Sequence, residues 1–165
     1  MIFFKSLIKV FANYSMEKKW VFFRAIKLYF IAPHFRVNTL IEYFRNSSGI
    51  KKSFIRKKLM LKYGFELGLT TQIGENFRVE HFNGVVLGGG VVIGDNCVIY
   101  QNVTIGQKGG KYPRIKDNVT LFPGSIVLGN VVIEDNAIVG AGAVVLQDVA
   151  KNKVAVGVPA RQVGN

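Results

Sequence analysis

The 165 residues are enough for one domain with an appendage, and a hydrophobic content of 49% supplies a sizeable core, which excludes intrinsic disorder. The formal charge of +12 is lopsided: residues 1–70 hold 14 Lys and Arg against 3 Asp and Glu, residues 71–165 hold 8 against 7, and with no binding module beside the charge, nucleic acid is not an expected partner. One cysteine, Cys97, excludes a disulfide framework and a cysteine-rich zinc site, and two histidines are too few for a histidine-built metal centre, so no metal is expected.

Residues 1–66 form the first unit, a basic, aromatic-rich region that reads as helical. Segments such as FFKSLIKVF (3–11) and WVFFRAIKLYFIAPHF (20–35) mix large apolar side chains with Lys and Arg at helical spacing. That pattern suits a helix lying on anionic lipid, and it equally suits helices that pack on one another. Lys5 and Lys9 break the early apolar stretch and no small-residue cleavage site follows, so a signal peptide is not expected. A cytoplasmic protein, with a peripheral position at the inner membrane face, is the expected location. His34, in IAPHFRV, has the context of a packing or capping residue.

Residues 67–165 form the second unit, which repeats. An aliphatic residue recurs every six positions at Ile73 and Val79, then Leu87, Ile93, Ile99 and Ile105, then Ile115, Leu121, Val127, Ile133, Val139 and Val145. Glycine follows at Gly74, Gly88, Gly94, Gly106 and Gly140, and asparagine falls two places further on at Asn76, Asn96, Asn102, Asn118 and Asn136. Both residue types adopt positive φ readily, which suits a tight turn at every repeat. A small or branched residue sits four places after the aliphatic one, for example Val91, Cys97, Ser125 and Ala143. The period is neither 3.6 nor 2, so the reading is a parallel β-helix whose short strands stack coil on coil with the aliphatic ladder inside.

Two insertions break the phase, one around His81-Phe82-Asn83-Gly84 and one within Gln107–Arg114, which carries Lys108, Lys111, Arg114 and Tyr112 beside Gly109-Gly110. Loops leaving a rigid scaffold are where function concentrates. The first insertion follows Glu80-His81. A histidine near neutrality can accept the proton of an attacking hydroxyl, which makes His81 the candidate general base, with Glu80 in support.

The elements VEHFNGVVLG, IYQNVTIGQ, GGKYPRI, VGAGAVVLQDV and VAVGVPARQV, in this order and spacing, resemble the serine acetyltransferase branch of the hexapeptide-repeat acyltransferases. The resemblance implies a left-handed coil of three hexads per turn, a homotrimer, and direct transfer of an acetyl group from acetyl-CoA to a hydroxyl. It places CoA against Gly106, Gly124, Ser125, Ala141, Gly142 and Ala143, with Lys153 and Arg161 near the phosphates or adenine. Asn83, Tyr100, Lys111 and Tyr112 are the candidates on the acceptor side. Where the serine enzymes have Arg-His-Pro this chain has Lys111-Tyr112-Pro113, and lysine cannot make arginine's two-pronged carboxylate contact. From that departure and the short N-terminal region, the expected acceptor is a carbohydrate, a sugar hydroxyl of a capsular or colanic-type surface polysaccharide or its precursor. Serine O-acetyltransfer and a non-catalytic trimeric scaffold are the alternatives.

Overall fold

A computed structural model describes residues 2–14 and 21–163; Trp20, part of the apolar and basic segment noted above, lies outside the described residues. Among the described residues four helices come first: α1 (Ile2–Tyr14), α2 (Val21–Ile31), α3 (Pro33–Arg45) and α4 (Gly49–Tyr63). A left-handed parallel β-solenoid of about four turns follows. Its first coil holds β1 (Glu66–Leu67), β2 (Gln72–Ile73) and β3 (Arg78–Val79), and its second β4 (Val86–Leu87), β5 (Val92–Ile93) and β6 (Val98–Ile99). The third holds β7 (Thr104–Gly106), β8 (Arg114–Ile115) and β9 (Thr120–Leu121), and the fourth β10 (Ile126–Leu128), β11 (Val132–Ile133) and β12 (Ile138–Val139). The chain ends in β13 (Val144–Val145), β14 (Val154–Val156) and β15 (Arg161–Val163), the last folding back antiparallel on β14.

Stacking these coils produces three flat faces. Face one is β1-β4-β7-β10-β13, face two β2-β5-β8-β11, and face three β3-β6-β9-β12-β14-β15. The chain turns from face one to two at a first corner, from two to three at a second, and from three back to one at a third. Every aliphatic residue of the six-residue series points inward and is at most 8% exposed. Burying a side chain of this size stabilises the fold by about 1.5–3 kcal/mol. The small residues four places on, including Cys97, Ser125 and Ala143, fill the same interior.

The turn chemistry divides between the two residue types. The asparagines do carry the left-handed conformation, Asn76, Asn96, Asn102, Asn118 and Asn136 having φ of 55–59°. The glycines that follow the aliphatic residues do not, which corrects the sequence reading. They are there for close approach: a Cβ on Gly94 would stand 2.8 Å from the Lys116 carbonyl carbon, and one on Gly74 would overlap the backbone of Gly94. Coils spaced by strand hydrogen bonds leave no room for a methyl at that point.

The helices close the open end of the solenoid. Phe44, Leu40, Ile41 and Val37 of α3 and Leu59, Ile55 and Tyr63 of α4 join the solenoid interior in one core. A smaller core of Leu7, Val10, Phe11, Ala25 and Phe35 knits α1, α2 and α3, so part of the apolar material of the first unit packs inward. Lys9 of α1 lies 3.6 Å from Glu42 and 3.3 Å from Glu75, and Arg45 of α3 lies 2.9 Å and 3.7 Å from the same two carboxylates, tying the helices to the second corner. No helix among the described residues is long and apolar enough to cross a membrane.

Cys97 is 1% exposed, and burial pushes its thiol up to about 11. The thiolate is the reactive form, so Cys97 is expected to resist alkylation at pH 8 in the folded protein and to react fully once denaturant unfolds it; mass spectrometry across a denaturant series measures both.

Candidate active site

The third corner carries the first phase break. Down face three, Glu80, Tyr100, Phe122 and Gly140 hold one register position: their N–H groups donate to the carbonyls of Ile99, Leu121, Val139 and Ala155 at 3.0, 3.1, 2.9 and 2.8 Å. The turn begins at a second aligned level, where the carbonyls of Asn83, Gln101 and Pro123 accept from Asn102, Gly124 and Gly142, each at 2.9 Å. Tyr100 is followed directly by Gln101, and Phe122 by Pro123. Between Glu80 and Asn83, however, stand His81 and Phe82, the two residues without a counterpart in the other coils. A closed coil cannot absorb extra residues inside without losing phase, so the pair is extruded at the corner.

The two extruded side chains have different surroundings. His81 is exposed, with its ring centroid 6.1 Å from that of Tyr100 at a tilt of 54°. Tyr100 in turn stacks on Phe122 at 5.3 Å and 7°, forming an outer aromatic wall next to the imidazole. Phe82 packs against the core and meets the ring of Tyr63, at the end of α4, edge-on at 5.7 Å. Glu80 is engaged with Arg78, Oε1 to Nε at 2.6 Å, two residues back on the same side of the strand. At the end of this corner the Val85 carbonyl accepts the N–H of Glu66, which opens β1, at 2.8 Å; the Glu66 side chain is exposed.

The second phase break is a formed hairpin at the first corner. Lys108 and Lys111 exchange backbone hydrogen bonds at 3.1 and 3.3 Å across Gly109 and Gly110, whose φ values of 60° and 76° are those of a type I′ turn. Tyr112 lies over the glycine run of the preceding coil. A Cβ on Gly88 would come 3.1 Å from Tyr112 Cε1, and one on Gly90 2.7 Å from its Cγ.

Asn83 and Tyr100 therefore share the third corner with His81, while Lys111 and Tyr112 stand at the opposite edge of face one. Among the candidate CoA contacts, Gly124, Ser125, Ala141, Gly142 and Ala143 all lie at the third corner, in the coils beyond His81. Ser125 and Ala143 face inward at 0% exposure. Their N–H and C=O groups are spent in the coil, Ser125 bonding the Phe122 carbonyl and the Thr104 N–H, Ala143 the Gly140 carbonyl and the Ile126 N–H. Gly106 is at the base of the hairpin, Lys153 at the second corner and Arg161 on β15. Sequence reasoning did not find Phe122 or Tyr63. Only Phe122 had a signal there, its place 22 residues after Tyr100, one coil plus the second insertion.

The fold agrees with known proteins. The bacterial transferase hexapeptide family, described as six repeats, matches residues 70–107 and 112–147, leaving out only the hairpin tip between them. These matched residues of the solenoid carry the repeats of the bacterial transferase hexapeptide family. A serine acetyltransferase of Staphylococcus epidermidis is 43% identical over 100 residues, 58% of this chain and 47% of that protein. Soybean serine acetyltransferase, solved in complex with serine, superposes with a TM-score of 0.78 at 28% identity, over 96% of this chain and 68% of that one. A serine acetyltransferase solved in complex with CoA shares the fold at 21% identity, with a TM-score of 0.71 over 98% of this chain and 83% of that one. This hexapeptide-repeat chain spans about half the length of the curated relatives it matches.

These findings overturn the polysaccharide acceptor and with it the capsular or colanic-type assignment, because the relatives and the superposed structures are serine acetyltransferases. The inference had rested on Lys111-Tyr112-Pro113 and on the short N-terminal region. The Tyr112 ring is packed on Gly88 and Gly90, so a departure at that position reports how the hairpin sits on its own scaffold.

Gly90 has no positive φ, so Gly90→Ala is tolerated by the backbone and acts through its Cβ. It is expected to displace the Tyr112 ring and loosen the hairpin; unchanged Tyr112 ring resonances in the folded variant would contradict the packing described.

Proposed function

We propose that this protein is an acetyl-CoA-dependent O-acetyltransferase whose acceptor is the hydroxyl of L-serine, with His81 as general base. The observation that carries the reading is the exposed imidazole extruded at a corner of a hexapeptide solenoid, in a chain whose relatives are serine acetyltransferases. His81 accepts the hydroxyl proton as the oxygen attacks the acetyl thioester. The new C–O bond forms, the C–S bond breaks, and the imidazolium returns the proton to the departing CoA sulfur. Tyr100, stacked on Phe122, walls one side of the ring, and Asn83 offers a polar contact to the acceptor. The exposed surfaces of Gly124, Ala141 and Gly142 line the approach for pantetheine, with Arg161, paired with Val156 of β14, further along; Gly106 at the first corner and Lys153 at the second lie off that path in the same copy, and Ser125 and Ala143 shape the third corner from inside.

A homotrimer is part of the same reading. Lys111 and Tyr112 stand at the far edge of face one from His81, so they reach an acceptor at His81 only from a neighbouring copy. On α4, Ile50, Phe54 and Leu61 are 76%, 68% and 70% exposed among Lys51, Lys57, Lys58 and Lys62, which supports a peripheral contact with anionic lipid.

The deciding assay is thiol release from acetyl-CoA by the purified chain with free L-serine. His81→Ala is expected to reduce kcat by about 10²–10⁴-fold with acetyl-CoA still bound. A wild-type protein that binds acetyl-CoA and leaves L-serine unmodified would remove serine as acceptor, and a fully active His81→Ala would remove the base.

A further inference from the structure

The β3 strand from which His81 departs is an edge. In face three it pairs with β6 on one side only. A parallel strand sends the N–H and C=O of alternate residues to opposite sides, so Arg78 and Glu80 bond toward β6 and Val79 points its backbone groups outward, where the solenoid has no further coil. Buried and unpaired, each of those groups would cost about 1–3 kcal/mol.

They are paired by one side chain. Asn38 of α3 is 3% exposed, and its Oδ1 accepts the Val79 N–H at 2.8 Å while its Nδ2 donates to the Val79 carbonyl at 2.8 Å. The same Nδ2 donates to the His34 carbonyl at 3.0 Å, which holds the amide in this orientation against its own helix. A carboxamide has the donor and acceptor of a peptide unit, so Asn38 serves as a one-residue strand on the open edge. Beyond the insertion, the Gly84 N–H donates to the Gly64 carbonyl at 3.1 Å, just past α4, and Phe82 rests on Tyr63. The helices thus hold the chain two residues before His81 and three residues after it.

We propose that Asn38 is a positioning residue for His81: by completing the edge of β3 it fixes the backbone from which the imidazole is presented, so that the helical region contributes to the reaction through geometry. The inference rests on His81 being the general base. The extruded pair has no strand partner of its own, and its direction is set by the residues at either side. A displacement of about 1 Å at a reacting group can cost about 10²-fold in rate.

A matched comparison is built into the fold. Arg56 of α4 caps the neighbouring edge strand β1, its Nε donating to the Leu67 carbonyl at 2.8 Å, at a strand that does not lead to His81. Asn38→Ala is expected to lower kcat for acetyl transfer to L-serine by at least about tenfold with KM for acetyl-CoA within about twofold, and to abolish hydrogen-exchange protection of the Val79 amide. Asn38→Asp keeps the acceptor, loses the donor, and is expected to fall between wild type and Asn38→Ala; it takes over the test if the alanine variant does not fold. Arg56→Ala is expected to keep kcat within about twofold. A folded Asn38 variant with kcat near wild type, or a kcat loss equalled by Arg56→Ala, overturns the proposal. If the wild type leaves serine unacetylated, the imidazole NMR signals of His81 decide: displacement in the Asn38 variants and not in Arg56→Ala supports positioning, and unmoved signals refute it.

Discussion

The inward aliphatic ladder is the constraint on which the rest of this structure depends. Three two-residue strands make a coil, each coil supplies only a few large side chains, and neighbouring coils share them across strand spacing. A shift by one residue would turn Ile99 or Leu121 to solvent and bring Tyr100 or Phe122 inside, so the six-residue phase is held by several buried side chains per coil at once. Everything that does not fit the phase is forced to the corners. That is why His81 protrudes while Phe82 turns onto Tyr63, and why the hairpin at Lys108–Lys111 leaves the scaffold without disturbing the pairing of β7 with β4 and β10.

A stack of open coils has two unfinished ends, and this chain treats them differently. At the far end β15 turns back antiparallel on β14 and Ala160 bonds the Val144 carbonyl. At the near end side chains act as strands, Asn38 for Val79 and Arg56 for Leu67. Capping exposed edges prevents unwanted pairing. Here the capped edge also leads directly into the candidate base, which joins a stability requirement to the geometry of a site.

The two insertions differ in what surrounds them. His81 stands outside the coil with an aromatic wall on one side, while Tyr112 is drawn onto glycines that leave it room. The hairpin therefore carries exposed Lys108 and Lys111 on a fixed base, across face one from His81. The family match runs along the solenoid and is interrupted at the hairpin tip.

The amino-acid sequence alone determined the period, the inward residues, the asparagine turns and the location of both insertions, because each coil repeats the same local problem within six residues and leaves the same mark. It pointed to His81 by that logic, as a residue out of phase. The tertiary structure decided what sequence distance concealed. Asn38 lies 41 residues from Val79 and belongs to no repeat, and the glycines beside the aliphatic ladder prove to serve close contact between coils and not positive φ. The acceptor side was misread for the same reason. Lys111-Tyr112-Pro113 was compared as a string of letters, whereas what Tyr112 touches is set by glycines one coil earlier, a contact that exists only once the coils are stacked.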